Sequence, residues 1–226
     1  MKVTVVLAVL LVASLAFAAD QSLAGKVICL DPGHPSENGW GAQGKTIGET
    51  HANWLVAQKL KVLLQGMGAR VVVTKTTERQ YLTNRQRAEI GNAAPANLTV
   101  RLHCDSEGPA GLAVYYPDRQ GKTPDGHRGP SAPVIAASGR IAKVLYPALI
   151  KHLAGKVKGR GLHVDAEAYV GDRQGALTGS IFSTVPVVVI EMVTLCNQSD
   201  DAFIASESGR AMMAKAIASA LAAALK

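Results

Sequence analysis

Cysteine is scarce in this chain: Cys29, Cys104 and Cys196 are the three. They are too few for a disulfide-stapled scaffold, and 226 residues bury enough core without staples. An odd count leaves at least one thiol unpaired within a monomer. None stands in a CxxC pair, which argues against a zinc site built from cysteine. Acidic residues are also in short supply, 17 against 24 Lys and Arg, for a formal charge of +7. That balance suits an anionic partner such as an envelope polymer, and it serves plain solubility equally well. No nucleic-acid partner is expected. Internal repeats and a second domain boundary are both missing, so the chain reads as a single unit.

Long hydrophobic runs are confined to the N-terminus. Lys2 precedes an apolar stretch over 3–17, and Ala16-Phe17-Ala18 makes a small-x-small cleavage site. The run is too short and too poorly flanked for a membrane span. Residues 1–18 therefore read as a secretory signal, with a retained anchor as the other reading, and 19–226 as the working domain. No lipid-attachment cysteine follows the run, because the first cysteine is Cys29. The mature protein is expected to be exported, periplasmic or extracellular at the cell wall, with no membrane span after signal cleavage.

What remains alternates between strand and helix patterns. A buried strand over 27–30 (VICL) breaks at Asp31-Pro32-Gly33 and leads through a glycine-rich loop to Glu49. Residues 49–65 place Ala52, Leu55, Val56, Leu60 and Leu63 at helical spacing, ended by Gly66-Met67-Gly68. A β-branched strand over 69–74 follows, at an interval that suits a parallel βαβ crossover. Further on come a helix over 84–94, a strand over 98–103 and a strand over 111–116. The helix turns Ala88 and Ile90 inward and Arg85 and Arg87 toward the site or solvent. Residues 117–133 form a long exposed loop rich in Pro, Gly and charge. An apolar-faced helix over 134–153 includes Val144. Residues 161–183 carry no clear pattern. A nearly continuous apolar strand over 185–192 reads as central, and an Ala-rich helix over 208–226 closes the chain. The fold class is α/β: a three-layer sandwich, a mostly parallel twisted sheet with helices on both faces.

Such sheets bind ligands beyond the carboxyl ends of their strands. The first strand delivers His34 there, the strand over 98–103 delivers His103, and the last strand delivers Glu191; Glu49 opens the first helix. Taken alone, the stretch from Val27 to Glu49 reads as well as a plain βα turn with one surface histidine. Together the four groups make a candidate metal site. Two neutral histidines and one carboxylate leave an open zinc position, the arrangement of a catalytic site. A second carboxylate then moves the proton, and the apolar run before Glu191 raises its pKa by desolvation. His51 lies two residues past Glu49 and faces away, His127 and His163 read as surface, and His152 sits near a helix end.

These residues resemble the zinc-dependent N-acetylmuramoyl-L-alanine amidases of the Amidase_3 family, the catalytic domains of bacterial cell-wall amidases. The resemblance runs over nearly the whole mature chain. It is carried by ICLDPGH (28–34), Gly48-Glu49 with Asn53, Gly68-x-x-Val71-x-x-Thr74, Leu82-x-x-Arg85, the stretch from Asn92 to His103, GLAVYY, and PVVVIEM with Asn197 and Asp200. It implies one Zn²⁺ held by His34, Glu49 and His103, with Glu191 as the catalytic carboxylate. It also implies hydrolysis of the amide between N-acetylmuramic acid and L-alanine in peptidoglycan or muropeptides. Any activator protein is unspecified. Two departures stand out: Met192-Val193-Thr194 follows Glu191 where the family has a glycine soon after, and Cys104-Asp105 follows His103 where it has Ala-Asn. Other functions would be a zinc peptidase cutting within the stem peptide, or an exported wall-binding protein without catalysis. The second would be expected to lack a ligand or the acid, and all four are present.

Overall fold

The computed structural model describes residues 20–226. The expected signal over 1–18 lies outside the described residues. Strands β1 (Val27–Pro32), β2 (Arg70–Val73), β3 (Leu98–Asp105), β4 (Leu112–Tyr116), β7 (Gly159–Val164) and β8 (Val187–Thr194) form one sheet in the order β2-β1-β3-β8-β4-β7. β1 pairs in parallel with β2 and β3, and β3 with β8, whereas β4 runs antiparallel to β8 and parallel to β7. The sheet is thus mostly parallel, and the apolar 187–190 run lies inside it. A two-stranded ribbon of β5 (Gly121–Lys122) and β6 (Arg128–Gly129) occupies the segment read as a long loop.

Seven helices accompany the strands among the described residues: α1 (Glu49–Gly66), α2 (Asn84–Ala93), α3 (Ala132–Leu153), α4 (Tyr169–Gln174), α5 (Thr178–Ile181), α6 (Gln198–Ala205) and α7 (Glu207–Ala224). In α1, Ala52, Val56, Leu60 and Leu64 repeat every four residues and are buried. Leu63, expected inward, is exposed instead, because the stripe drifts by one position along the helix. Val144 of α3 likewise turns out to be exposed, with Leu145, Leu149 and Leu153 inward. α2 opens on a reciprocal cap: Thr83 accepts from the Gln86 amide while the Gln86 side chain accepts from the Thr83 amide. The stretch over 161–183, which carried no pattern, holds most of β7, a short 3-10 turn over Asp165–Glu167, α4 and α5.

Strand alternation divides the chemistry between the two faces of the sheet. Leu98, Val100, Leu102 and Cys104 of β3 point into the main apolar core, which holds Val56 and Leu60 of α1 and Met213, Ile217 and Leu221 of α7. α7 packs between α1 and α3 on that side. Thr99, Arg101 and His103 occupy the other face, toward α2 and α5. On that face β1 offers Asp31, paired in register with Arg101, and β8 offers Glu191, paired with His103. One side of the sheet is therefore the core and the other a wall of polar groups.

α6 braces the loop that leads into α1. Asp201 accepts from the Thr46 amide at 2.9 Å and the Ile47 amide at 3.3 Å. A Cβ on Gly44 would overlap the same carboxylate. Asp201→Ala is expected to cost about 1–3 kcal/mol, since hydrogen bonds to a carboxylate are the stronger kind. Urea unfolding with an unchanged slope would show it, and a midpoint equal to wild type would refute the brace.

Candidate metal centre

β1 ends at Pro32, and the turn after it is tight enough to exclude any side chain at residue 33. A Cβ on Gly33 would overlap the His103 ring. His34 follows with φ 55°, a left-handed conformation that costs a non-glycine residue about 1–3 kcal/mol and collects at functional sites. Surrounding bonds hold it there. Its Nδ1 lies 3.0 Å from the Gly39 carbonyl, and its own carbonyl accepts from the Lys75 ammonium. With Nδ1 engaged, Nε2 turns inward to 3.5 Å from Glu49 Oε1.

Glu49 is the first residue of α1, where the helix dipole favours a carboxylate, and it is 3% exposed. Its Oε2 accepts from the Ala42 amide at 2.7 Å. Its Oε1 meets His103 Nδ1 at 2.9 Å and the Cys104 amide at 3.1 Å. A Cβ on Gly41 would stand 2.6 Å from Oε2 and 2.9 Å from the His34 ring, so only glycine closes this wall. Burial alone would raise the Glu49 carboxyl, but the His103 bond and charge, with His34 and the Ala42 amide, bring it down to about 2. Burial lowers the His103 pKa and favours the neutral imidazole that metals bind.

One ligand atom each from His34, Glu49 and His103 lies within 4.8 Å of the others. The two rings stand edge to face, centroids 5.2 Å apart. His103 Nε2 is buried without a hydrogen-bond partner, and so is Glu191 Oε2 on the neighbouring strand. A buried polar atom without a partner needs an explanation, such as a catalytic role or a bound water or ion. Two such atoms beside three metal-binding side chains fit a cation. Burial pushes the Glu191 pKa well up, and the Asp105 and Glu49 charges add to it while Arg160 and Arg101 oppose it.

The structure brings all four expected groups to one sheet edge. The expected bystanders mostly stay apart: His51 pairs with Glu78, and His127 stacks on Phe182. His163 departs from its surface reading, since it is partly buried, stacks on Tyr115 and bonds Glu167. All three cysteines are free thiols. Cys104 lies buried behind the site against Asn53, its pKa raised by burial and by Glu49 and Glu191.

Beneath His34 lies a network that the sequence did not announce. Asp31, fully buried, accepts from Thr74 at 2.7 Å, Arg87 Nη1 at 2.7 Å and Arg101 Nε at 2.9 Å. Arg87 is buried and also donates to the Pro32 and Pro35 carbonyls that bracket His34. Arg85, which the sequence left between the site and solvent, is exposed and paired with Glu89. The available signal was period two: Thr99, Arg101 and His103 alternate with Leu98, Val100 and Leu102.

A family model described as N-acetylmuramoyl-L-alanine amidase (Amidase_3) matches residues 28–223. Among solved structures, the N-acetylmuramyl-L-alanine amidase Ami1 from Mycobacterium smegmatis is 21% identical, with a TM-score of 0.70 over 90% of this chain and 98% of that one. The amidase AmiC2 of Nostoc punctiforme is 20% identical, TM-score 0.67, over 88% and 96%. The catalytic domain of CwlV from Bacillus (Paenibacillus) polymyxa is 23% identical, TM-score 0.64, over 87% and 96%. No curated protein matches in sequence.

Proposed function

This chain belongs to the N-acetylmuramoyl-L-alanine amidase family and hydrolyses the amide between N-acetylmuramic acid and L-alanine in peptidoglycan; from that premise we propose that it does so with one zinc ion held by His34, Glu49 and His103 and with Glu191 as the proton carrier. The observation that carries the reading is the convergence of three ligand groups within 4.8 Å beside two buried, unpartnered atoms, His103 Nε2 and Glu191 Oε2. Zinc held there would supply Lewis acidity toward the amide carbonyl and the attacking water.

The chain's own residues do the rest. Glu191 takes a proton from water at a carboxylate oxygen and returns it to the leaving L-alanine nitrogen, a role that a carboxyl raised by burial can fill in both directions. Gly33 and Gly41 let the backbone close on the His103, Glu49 and His34 side chains. His34 and Glu49 are oriented by the Gly39 carbonyl and the Ala42 amide, second partners of the kind that fix ligand geometry. Residues 1–18 serve as the export signal, 19–226 form the catalytic domain, and the enzyme works outside the cytoplasm on the wall polymer.

Two measurements test this. Purified protein is expected to carry one zinc per chain, to lose activity with chelator and regain it with Zn²⁺, and to lose the metal in His34→Ala. A zinc-free wild type that ignores chelator would end the metal assignment. Mass spectrometry of digested peptidoglycan should show free stems beginning with L-alanine; shortened stems still joined to muramic acid would make it a peptidase instead.

A further inference from the structure

A groove of about 200 Å³ takes in His34, His103 and Glu191 of the candidate metal centre and extends past it along Ser36, Asn38, Leu177 and Thr178. Its floor includes Arg101, a cation only 6% exposed. The guanidinium is held from two sides. Nε donates to Asp31, and Nη2 donates to the Asn84 side-chain oxygen. Asn84 is itself fixed, because its Nδ2 donates to Glu37 at 3.0 Å. Gly179 lies against the guanidinium, where a Cβ would stand 2.7 Å from Nη1. Nη1 has no hydrogen-bond partner among the described residues.

Several cations are buried behind this groove. Asp31 faces two buried guanidinium groups, Arg87 and Arg101, and the Lys75 ammonium is buried close by on the His34 and Glu78 carbonyls. Arg87 is fully occupied by Leu82, Pro32, Pro35 and Asp31. Two further buried carboxyls bear on the Arg101 charge: Glu191, and Asp165, which bonds the Leu177 amide and is held up at about 6 by burial. Arg101 thus reaches the groove with Nη1 as its one guanidinium nitrogen without a partner among the described residues. A guanidinium edge that is held in place and opens onto a substrate groove without a partner suits a carboxylate there.

We propose that Arg101 is a specificity residue that reads a carboxylate on the second residue of the peptide stem through its free Nη1 edge. The inference rests on the amidase reading, which places the scissile carbonyl at His103. Arg101 and His103 share one face of β3, two residues apart and so about 7 Å along the strand. Two residues of extended peptide reach about 7 Å as well. The carboxylate two residues beyond the scissile bond therefore meets the guanidinium when the stem lies along the groove. A planar donor fixed before binding loses little entropy on engaging a carboxylate.

The test compares two muramoyl dipeptides with zinc-loaded, full-length protein. Both have the γ-carboxyl of the second residue blocked as a methylamide; one keeps a free α-carboxylate there, as in D-glutamate, and the other carries the α-amide, as in D-isoglutamine. Wild type is expected to favour the carboxylate about 10- to 100-fold in kcat/KM, mostly through KM. Arg101→Gln should collapse that ratio toward one, and Arg101→Lys should leave an intermediate ratio. A wild-type ratio near one overturns the proposal without any variant, while the amidase reading stands. A preference that survives Arg101→Gln overturns it too, and if that variant does not fold, Arg101→Lys with an undiminished ratio does the same. Cleavage of neither dipeptide removes the amidase reading and the proposal with it.

Discussion

Glu191→Gln is expected to lower kcat by about 10³- to 10⁴-fold while leaving the zinc content at one per chain. The substitution keeps size and hydrogen-bonding shape but cannot carry a proton. Glu191 lies opposite His103 in the β3–β8 register, so the group proposed to move the proton is placed by backbone pairing. Its Oε2 is buried without a partner, and its pKa is raised first by burial and then by Asp105 and Glu49. The amide would remove that excess negative charge and so would not loosen the fold. Stability equal to or above wild type, together with lost turnover, is the signature of a proton carrier. Activity within threefold of wild type would exclude Glu191 from the mechanism.

The four groups of the candidate site were legible because each stands at a punctuation point. His34 follows a strand broken by Pro32-Gly33, Glu49 opens a helix, and His103 and Glu191 are polar groups set near the carboxyl ends of largely apolar strands. Strand order was not legible in the same way. Nothing in GLAVYY says that it runs against its neighbour, because the pattern of a buried strand is the same in either direction. The missed residues share another cause. Arg87 and Arg101 look like surface groups by type, and only tertiary context shows that a buried carboxylate receives them both. Helix α6 was missed because eight residues give too few turns for periodicity to show; Asn197, its N-cap through the Ser199 and Asp200 amides, was the one local sign. The ribbon β5–β6 is shorter still, two residues a strand.

Asp31→Ala is expected to cost roughly 3–5 kcal/mol, a large part of the 5–15 kcal/mol typical of a domain. The substitution strands two buried guanidinium groups, Arg87 and Arg101, that otherwise share one carboxylate. Burial by itself would raise the Asp31 pKa, but the Arg87 and Arg101 charges and the Thr74 hydroxyl outweigh it and hold the carboxyl well below the ordinary range. The sign follows from that depression. Stability from Asp31 is fully present above the unfolded-state pKa of 3.8 and is lost as pH falls below it toward the folded value. The gap between wild type and Asp31→Ala in urea midpoint should therefore be constant from pH 5 to 8 and shrink in more acidic buffer. A gap under about 0.5 kcal/mol at neutral pH would contradict the pairing. A triple variant with Asp31, Arg87 and Arg101 replaced by apolar residues of similar volume separates stability from positioning, since repacked buried ion networks are often no less stable. Arg87 donates to the carbonyls of Pro32 and Pro35 on either side of the strained His34, and no apolar side chain replaces those bonds. The repacked protein should regain its midpoint yet bind zinc poorly, because a ligand at φ 55° needs the turn around it held in place. Recovery of both stability and zinc affinity would mean that the network stabilises the fold and does nothing for the metal centre.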